Sequence, residues 1–477
     1  MEKWEQQLID NFGSAVVNKK LVLENEIQGI PRYVSEYILG AYAIDGITKE
    51  SIVEANNFIN SNKYSSREKE LLKNKLISEY TIKVLDKFKA EVDTKKNKIK
   101  ASMGTTQLAN MIANPTLVKE HERLLIDGIW GLGELRYYAP GSEYDGEDVN
   151  KEGIIELQKF KPLQLSNISL EDFKKGRSKI DTESWINALI STVGLDYNNY
   201  DLRKKIIILS RMVPMVEESV FLMEFGKPGT GKTYCFENIS AYSRVISGSA
   251  ITPAQLFYNL QSKTPGLLLQ YDIVLFDEID KVRKKGLNEE VINKLYKYLE
   301  SFSFDRGGVE QSSTCGIMMV GNISPDKEFE EETLFLDVLN EKLREEAFLT
   351  RLCGVIPGWE LNPIEKREIS LTKHYGFMAD YFSEILHELR ESYIHQNIAK
   401  ERVKLINANI RDENSVMKIV SGLLKIIYPH GEIEDEYLDE IVKYAVEIRQ
   451  FVIDQNYYIT GKKDYDVKLE WEIKDEI

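Results

Sequence analysis

Apolar positions along this chain repeat at two different periods, and each change of period marks an expected change of fold. Through the first 80 residues the spacing is helical: Tyr33, Tyr37, Ile38, Tyr42 and Ile44 share one face, as do Ile52, Ala55 and Phe58, and Pro31 is placed to open a helix. From Tyr80 the segment YTIKVLDKFKAEVDTKKNKIKASM alternates apolar and charged residues through Ile82, Val84, Phe88, Ala90 and Val92, with DTKKN as a turn. Together with GIWGLGELRYYAP it predicts a small antiparallel sheet or barrel. The Gly- and acid-rich stretch APGSEYDGEDVNKEG, residues 139–153, breaks the pattern and reads as an exposed loop.

Beyond it, the strand-like IIELQKFKPLQL leads into helical segments at 185–193 and 202–212. Strand and helix then alternate over residues 219–357. Apolar runs lie at 220–225, near Val245, and at 273–276, 316–320 and 353–356, with a helix started by Pro253 between them. That alternation predicts an α/β domain with a parallel sheet flanked by helices. Residues 375–395, 415–428 and 435–454 return to helical spacing, with Gly422 a tolerated interior glycine, and the charged residues 459–477 read as an edge strand or tail. The expected division is a helical region at 1–80, a β-rich domain at 81–160, an α/β core at 161–364, an α-helical domain at 365–458 and a tail at 459–477.

Composition narrows the function classes. No run approaches 18 uncharged apolar residues, and the N-terminus MEKWEQQLID lacks the apolar core of a signal peptide, so a cytoplasmic protein without membrane contact is expected. Cys235, Cys315 and Cys353 are never paired at C-x-x-C spacing and read as reduced core residues. His121, His374, His387, His395 and His430 form no ligand cluster and read as surface residues. A net charge of −15 argues against a uniformly basic nucleic-acid binder. Within 63–100, however, twelve Lys or Arg stand against six Asp or Glu, the best candidate for a nucleic-acid face; a solvated strand surface is the alternative.

The strongest chemical signal is the string Gly226, Lys227, Pro228, Gly229, Thr230, Gly231, Lys232, Thr233, which follows a strand-like run and opens a helix-like one. The three glycines let backbone N–H groups turn inward around a phosphate, Lys232 reaches the β and γ phosphates of ATP, and the Thr233 hydroxyl is placed to hold Mg²⁺. Asp277 and Glu278 end a later strand. Asp277 can hold the Mg²⁺ and Glu278 can polarise the attacking water. Asn322 ends the next strand, where its amide could hold that water. A hairpin over 305–313 carries Arg306 near its tip, which reads as a DNA contact or as a plain turn arginine. Arg351, just ahead of the last strand, could stabilise charge on a neighbouring subunit's phosphate or form a structural salt bridge. From the α-helical domain, Arg411 or Arg449 could reach the γ phosphate, Arg411 being better placed.

The order GKPGTGKT, IVLFDEID, VGN, hairpin and FLTR is similar to the parts of an AAA+ ATPase with an all-α lid, and the hairpin and FLTR resemble those of MCM helicases and Lon-type proteases. PRYVSEYILGAY, LLIDGIWGLGEL, ESWINALISTVGLD, SGSAITPAQLFYNL, FLTRLCGVIPGWE, HYGFMADYFSEILHELR and RDENSVMKIVSGLLKIIYPHGE resemble the BrxL family, Lon-related AAA+ proteins of BREX bacteriophage-exclusion systems. The resemblance implies an antiphage role, assembly into a hexameric ring or stacked rings, duplex DNA as a partner along with other BREX components, and DNA binding by the N-terminal domain and central pore. Longer members carry a protease domain after the lid, and fewer than 25 residues follow Asp454 here, so no peptidase activity is expected. A Lon-like protein remodeller, with Phe304 as a pore aromatic, and an ATP-gated DNA-binding switch are the rival readings. GFMADYFSE, with Asp380 and Glu384, carries no assigned role.

Overall fold

The two apolar periods correspond to two sheets of different construction. The computed structural model describes residues 1–24, 30–42, 48–94, 97–126, 128–144, 147–149, 153–163, 168–247, 251–280, 289–306, 308–323 and 334–474. It divides into a unit formed by Met1–Glu24 with Ile168–Ile477 and a second unit, Asn25–Asn167. The expected helical region at 1–80 is therefore split between them.

In the second unit, strands β1 (Thr81–Asp93), β2 (Lys98–Met103), β3 (Met111–Ala113), β4 (Ile129–Tyr138) and β5 (Ile154–Pro162) close into a barrel in the order β1-β2-β3-β5-β4. Every pair is antiparallel except β3 with β5, which the expectation of a purely antiparallel sheet missed. Ile82, Val84, Phe88 and Ala90 point inward as their alternation requires, whereas Val92 is exposed at the end of the β1–β2 ribbon. Gly131 and Gly133 make room for two rings: a β-carbon would stand 2.4 Å from Phe160 at the first and 2.3 Å from Phe88 at the second. Asp86 also points inward. It is fully buried, accepting from the Thr105 N–H at 2.8 Å, the Thr106 N–H at 2.9 Å and the Thr106 hydroxyl at 2.6 Å.

In the first unit, β6 (Phe221–Gly226), β7 (Ser243–Ser247), β8 (Ile273–Asp277), β9 (Gly316–Asn322) and β10 (Gly354–Pro357) form a wholly parallel sheet in the order β7-β8-β9-β6-β10. Residues of β6 and β10 are buried throughout, as expected where helices cover both faces. The helices that matter for the site are α1 (Lys3–Phe12), α2 (Leu202–Ser210), α3 (Lys232–Asn238), α4 (Ala379–Leu389), α5 (Ile410–Ile427) and α6 (Asp435–Thr460). The cysteines are free and buried.

Two stretches expected to be helical are extended. Val16–Asn18 pairs antiparallel with Tyr375–Phe377, so the helix expected from residue 375 begins only at α4. Close packing explains this: a β-carbon on Gly376 would lie 2.9 Å from the Thr192 backbone, and Phe377 fills a cluster with Phe12, Phe173 and Trp185. The N-terminal segment is thus part of the core around the parallel sheet. Trp4 is 6% exposed and meets Tyr197 edge-on at 5.6 Å, while buried Glu5 accepts from the Tyr375 N–H at 3.2 Å. Near the other terminus, Glu470–Ile473 pairs with Val403–Ile406, giving the tail an edge strand.

Trp4→Ala should cost about 3–5 kcal/mol of stability, the usual range for truncating a buried aromatic. Hydrogen exchange read peptide by peptide checks this: protection should fall in peptides from 168–477 and hold in the barrel.

Candidate active site

The end of β6 dictates the loop that follows. At Gly226 a β-carbon would lie 2.6 Å from the Gly358 carbonyl, so only glycine fits. Gly229 and Gly231 have φ of +81° and +76°, the left-handed region that side chains strain against. These turns deliver the chain into α3 and fold Lys232 back over the loop. Its ammonium lies 3.2 Å from the Gly226 carbonyl, 2.9 Å from the Lys227 carbonyl and 3.1 Å from Asn322 Oδ1. Lys232 is 7% exposed, and burial pushes its pKa below the ordinary lysine value, a shift that the Glu224 carboxylate opposes. The Pro363–Ile364 segment lies against the loop, the Ile364 N–H donating to the Gly229 carbonyl at 2.9 Å.

The Thr233 hydroxyl donates to Asp277 Oδ2 at 3.0 Å, bringing two hard oxygen donors together where the first turn of α3 meets the carboxyl end of β8, a donor set that suits Mg²⁺. Glu278 has φ of +58°, and its N–H donates to Asp277 Oδ1 at 2.7 Å. A glutamate in the left-handed region is strained, and such residues cluster at catalytic sites. The sequence reading missed Asp280, whose Oδ1 accepts from the Asn322 N–H at 2.9 Å and ties the turn after β8 to the end of β9. The string DEID carried that signal. Lys232, Thr233, Asp277, Glu278 and Asn322 are thus assembled at one end of the sheet.

Arg351 and Arg411 are assembled at the other end. Arg351 precedes β10 and lies at the opening end of the strands. Its side chain is 14% exposed, with Nη2 3.0 Å from Glu300 Oε2 and Nη1 donating to the Ala347 carbonyl. Nε is buried without a partner among the described residues. A cavity of about 790 Å³ brings together Arg351, Arg411, Lys418, Glu300 and Asp412. Lys418, also missed by the sequence reading, donates to the Ser219 carbonyl at 2.7 Å.

Several expectations need correction. Arg449 is 3% exposed and consumed by structure, pairing with Asp412 at 2.7 Å and donating to the Leu352 and Thr350 carbonyls, so it is not free to meet a phosphate. Phe304 is 2% exposed and packs edge-on against Phe257 at 5.1 Å, so it is no exposed pore aromatic. The hairpin itself is present as Ser303–Arg306 with Val309–Ser312, but the Arg306 side chain lies outside the described residues. His395 is 1% exposed rather than on the surface; its Nε2 lies 2.8 Å from the Tyr428 carbonyl, and burial lowers its pKa to about 4. GFMADYFSE gains a structural account. Glu384 accepts from the Tyr242 hydroxyl at 2.7 Å and the Ser383 hydroxyl accepts from the Ala241 N–H at 2.9 Å, so α4 clamps the turn between α3 and β7.

Among the described residues no helix is long and apolar enough to cross a membrane. The family profile described as Lon-like protease BrxL-like, ATPase domain, matches residues 155–470, and that of the BREX system Lon protease-like protein BrxL N-terminal matches residues 10–137. The chain is 32% identical over 482 residues to the Lon-like protease BrxL of Bacillus cereus (strain H3081.97), covering 99% of this chain and 69% of that protein. Against the Lon-like protease BrxL of Escherichia coli O9:H4 (strain HS) the figures are 29% over 469 residues, 97% and 66%. The chain therefore spans about two thirds of the length of these relatives. Among solved structures, a full-length MCM homolog from Methanopyrus kandleri aligns with a TM-score of 0.42 and 10% identity over 78% of this chain and 77% of that one, too remote to bear on fold or function.

Gly226→Ala should force the loop away from Gly358, costing about 1–3 kcal/mol of stability as overpacked sites do. Nucleotide binding should weaken with it, and thermal denaturation with and without an ATP analogue measures both.

Proposed function

The chain belongs to the BrxL family of BREX-associated, Lon-like proteins with an ATPase domain, and from that premise we propose a ring-forming AAA+ ATPase that hydrolyses ATP to move along or clamp duplex DNA in defence against phage. One observation carries the reading: Lys232 and Arg351 stand at opposite ends of the same parallel sheet. A strand of six residues spans roughly 17 Å, so the cation cluster of Arg351 and Arg411 is out of reach of its own phosphate loop. It can serve the phosphates of a second copy. A head-to-tail contact of that kind, repeated with a rotation that closes, makes a ring.

In this reading Lys232 and the loop amides hold the β and γ phosphates, and Thr233 with Asp277 holds Mg²⁺, which when bound neutralises charge on the phosphate oxygens. Glu278 takes a proton from the water that attacks the γ phosphorus, Asn322 positions that water, and ADP leaves with its bond to the γ phosphoryl broken. Arg351 of a neighbouring copy, with Arg411 beside it, offsets the charge that develops.

DNA is supported by the barrel. Small five-stranded barrels recur as oligonucleotide-binding scaffolds, and Lys83, Lys98 and Lys100 stand exposed on β1 and β2 while Asp86 is buried. Arg306 is proposed to meet the DNA backbone from its hairpin. The burial of Phe304 removes the feature that favoured a protein remodeller. A nucleotide-gated switch differs from a motor only in whether the ring travels, and displacement of a roadblock on DNA separates the two.

Glu278→Gln should keep ATP binding and assembly while hydrolysis falls by about 10²–10⁴-fold; wild-type turnover in that variant would remove the catalytic assignment. Arg351→Ala should lower turnover about 10³-fold or more, and mixing it with Lys232→Ala protein should restore activity wherever an intact loop faces an intact arginine. For DNA, affinity should drop steeply with salt. Replacing Lys83, Lys98 and Lys100 with alanine should flatten the log–log slope by about 0.9 for each phosphate that those side chains neutralise.

A further inference from the structure

The phosphate loop rests on a buried ion pair that the catalytic assignment leaves unused. Arg211 follows α2 and Glu224 lies within β6; they are 1% and 0% exposed. The guanidinium grips both carboxylate oxygens, Nε at 3.0 Å from Oε2 and Nη2 at 2.6 Å from Oε1. Its remaining arm, Nη1, donates to the Thr230 carbonyl at 3.2 Å, inside the phosphate loop.

The direction of that last bond matters. A peptide unit is planar and trans, so the carbonyl of one residue and the N–H of the next point in opposite directions. A Thr230 carbonyl drawn towards Arg211 therefore turns the Gly231 N–H the other way, and Gly231 with φ of +76° continues the turn into Lys232. We propose that Arg211 is a positioning residue for nucleotide binding: by holding the Thr230 carbonyl it aims the Gly231 amide at the phosphates. Glu224 anchors the device, because it belongs to the strand that delivers the loop and is packed against Gly358, where a β-carbon would stand 2.6 Å from Oε1. The neighbouring carbonyl, that of Gly229, is held by Ile364, so two consecutive loop carbonyls are fixed by groups outside the loop. The pair is close to neutral as a whole. Its contribution is orientation rather than attraction, so charge alone at position 211 does not replace the fork.

This inference rests on the loop being the ATP site, and the experiment keeps the two apart. Equilibrium binding of a non-hydrolysable ATP analogue is measured on the full chain for wild type, Lys232→Ala, Arg211→Lys, and the double variant Arg211→Met with Glu224→Leu. Replacing a buried ion pair by apolar residues of similar volume is often neutral for stability, so the double variant should melt near wild type yet bind about tenfold more weakly, the scale of one hydrogen bond to a charged group. Because loop amides grip ground and transition states alike, KM should rise with kcat at saturating ATP largely kept. Arg211→Lys, which keeps the charge and loses the fork, should weaken binding in the same direction. Wild-type affinity in either Arg211 variant, even with a lowered melting temperature, would overturn the proposal by reducing the pair to a structural one. Undiminished binding by Lys232→Ala would instead remove the premise that the loop is the nucleotide site.

Discussion

A lysine ammonium cannot be buried without oxygen partners, and much of the construction at the carboxyl end of the parallel sheet follows from satisfying Lys232. Its acceptors come from two strands and the loop between strand and helix: the Gly226 and Lys227 carbonyls at the end of β6, and Asn322 at the end of β9. Those strands are adjacent and parallel, so their carboxyl ends emerge side by side. Asn322 is in turn fixed by Asp280, which follows the carboxylate pair closing β8. One desolvated cation thus draws the ends of β6 and β9 together, Asp280 ties in the end of β8, and the groups suited to phosphate, metal and water chemistry converge there.

The same parallel geometry separates the site into halves. The glycine-rich loop, Asp277, Glu278 and Asn322 lie at the carboxyl ends of the strands, and the residues just ahead of β6 and β10 line the cavity of Arg351, Arg411 and Lys418. Arg449 holds that second half together by bridging α6, the first turn of α5 and the turn that carries Arg351. On the proposed reading, two rigid ends of one sheet, each bearing half of a reaction's charge, would make chemistry conditional on contact between copies.

Much of the grouping of Lys232, Thr233, Asp277 and Asn322 was legible in the sequence because its logic is local. Glycine spacing, a hydroxyl after the lysine and acids at the end of an apolar run each report a backbone requirement within a few residues. The barrel was legible from alternation in β1 taken together with the stretch GIWGLGELRYYAP, although the parallel pairing of β3 with β5 joins segments too distant for periodicity to reveal. What stayed hidden depended on tertiary pairing. Tyr375–Phe377 has the residues of either state and is extended only because Val16–Asn18 lies beside it. Arg449 looked available because nothing local announces that Asp412 will claim it, and Phe304 looked presentable because its partners Phe257 and Tyr298 come from other elements. Buried Arg211 and Glu224 lie close in sequence, yet no motif marks them as a pair.

The pairing of Val16–Asn18 with Tyr375–Phe377 has a consequence for the newborn chain. At synthesis rates of about 5–20 residues per second, on the order of 20–70 s separate the emergence of the first strand from that of its partner. During this interval the barrel can complete itself, since its strands all lie between residues 81 and 162. Trp4 can already meet Tyr197, whereas the edge of Val16–Asn18 waits for its partner strand. That strand is therefore an early-made, late-used latch, joining residues about 360 positions apart once the chain between them has been synthesised.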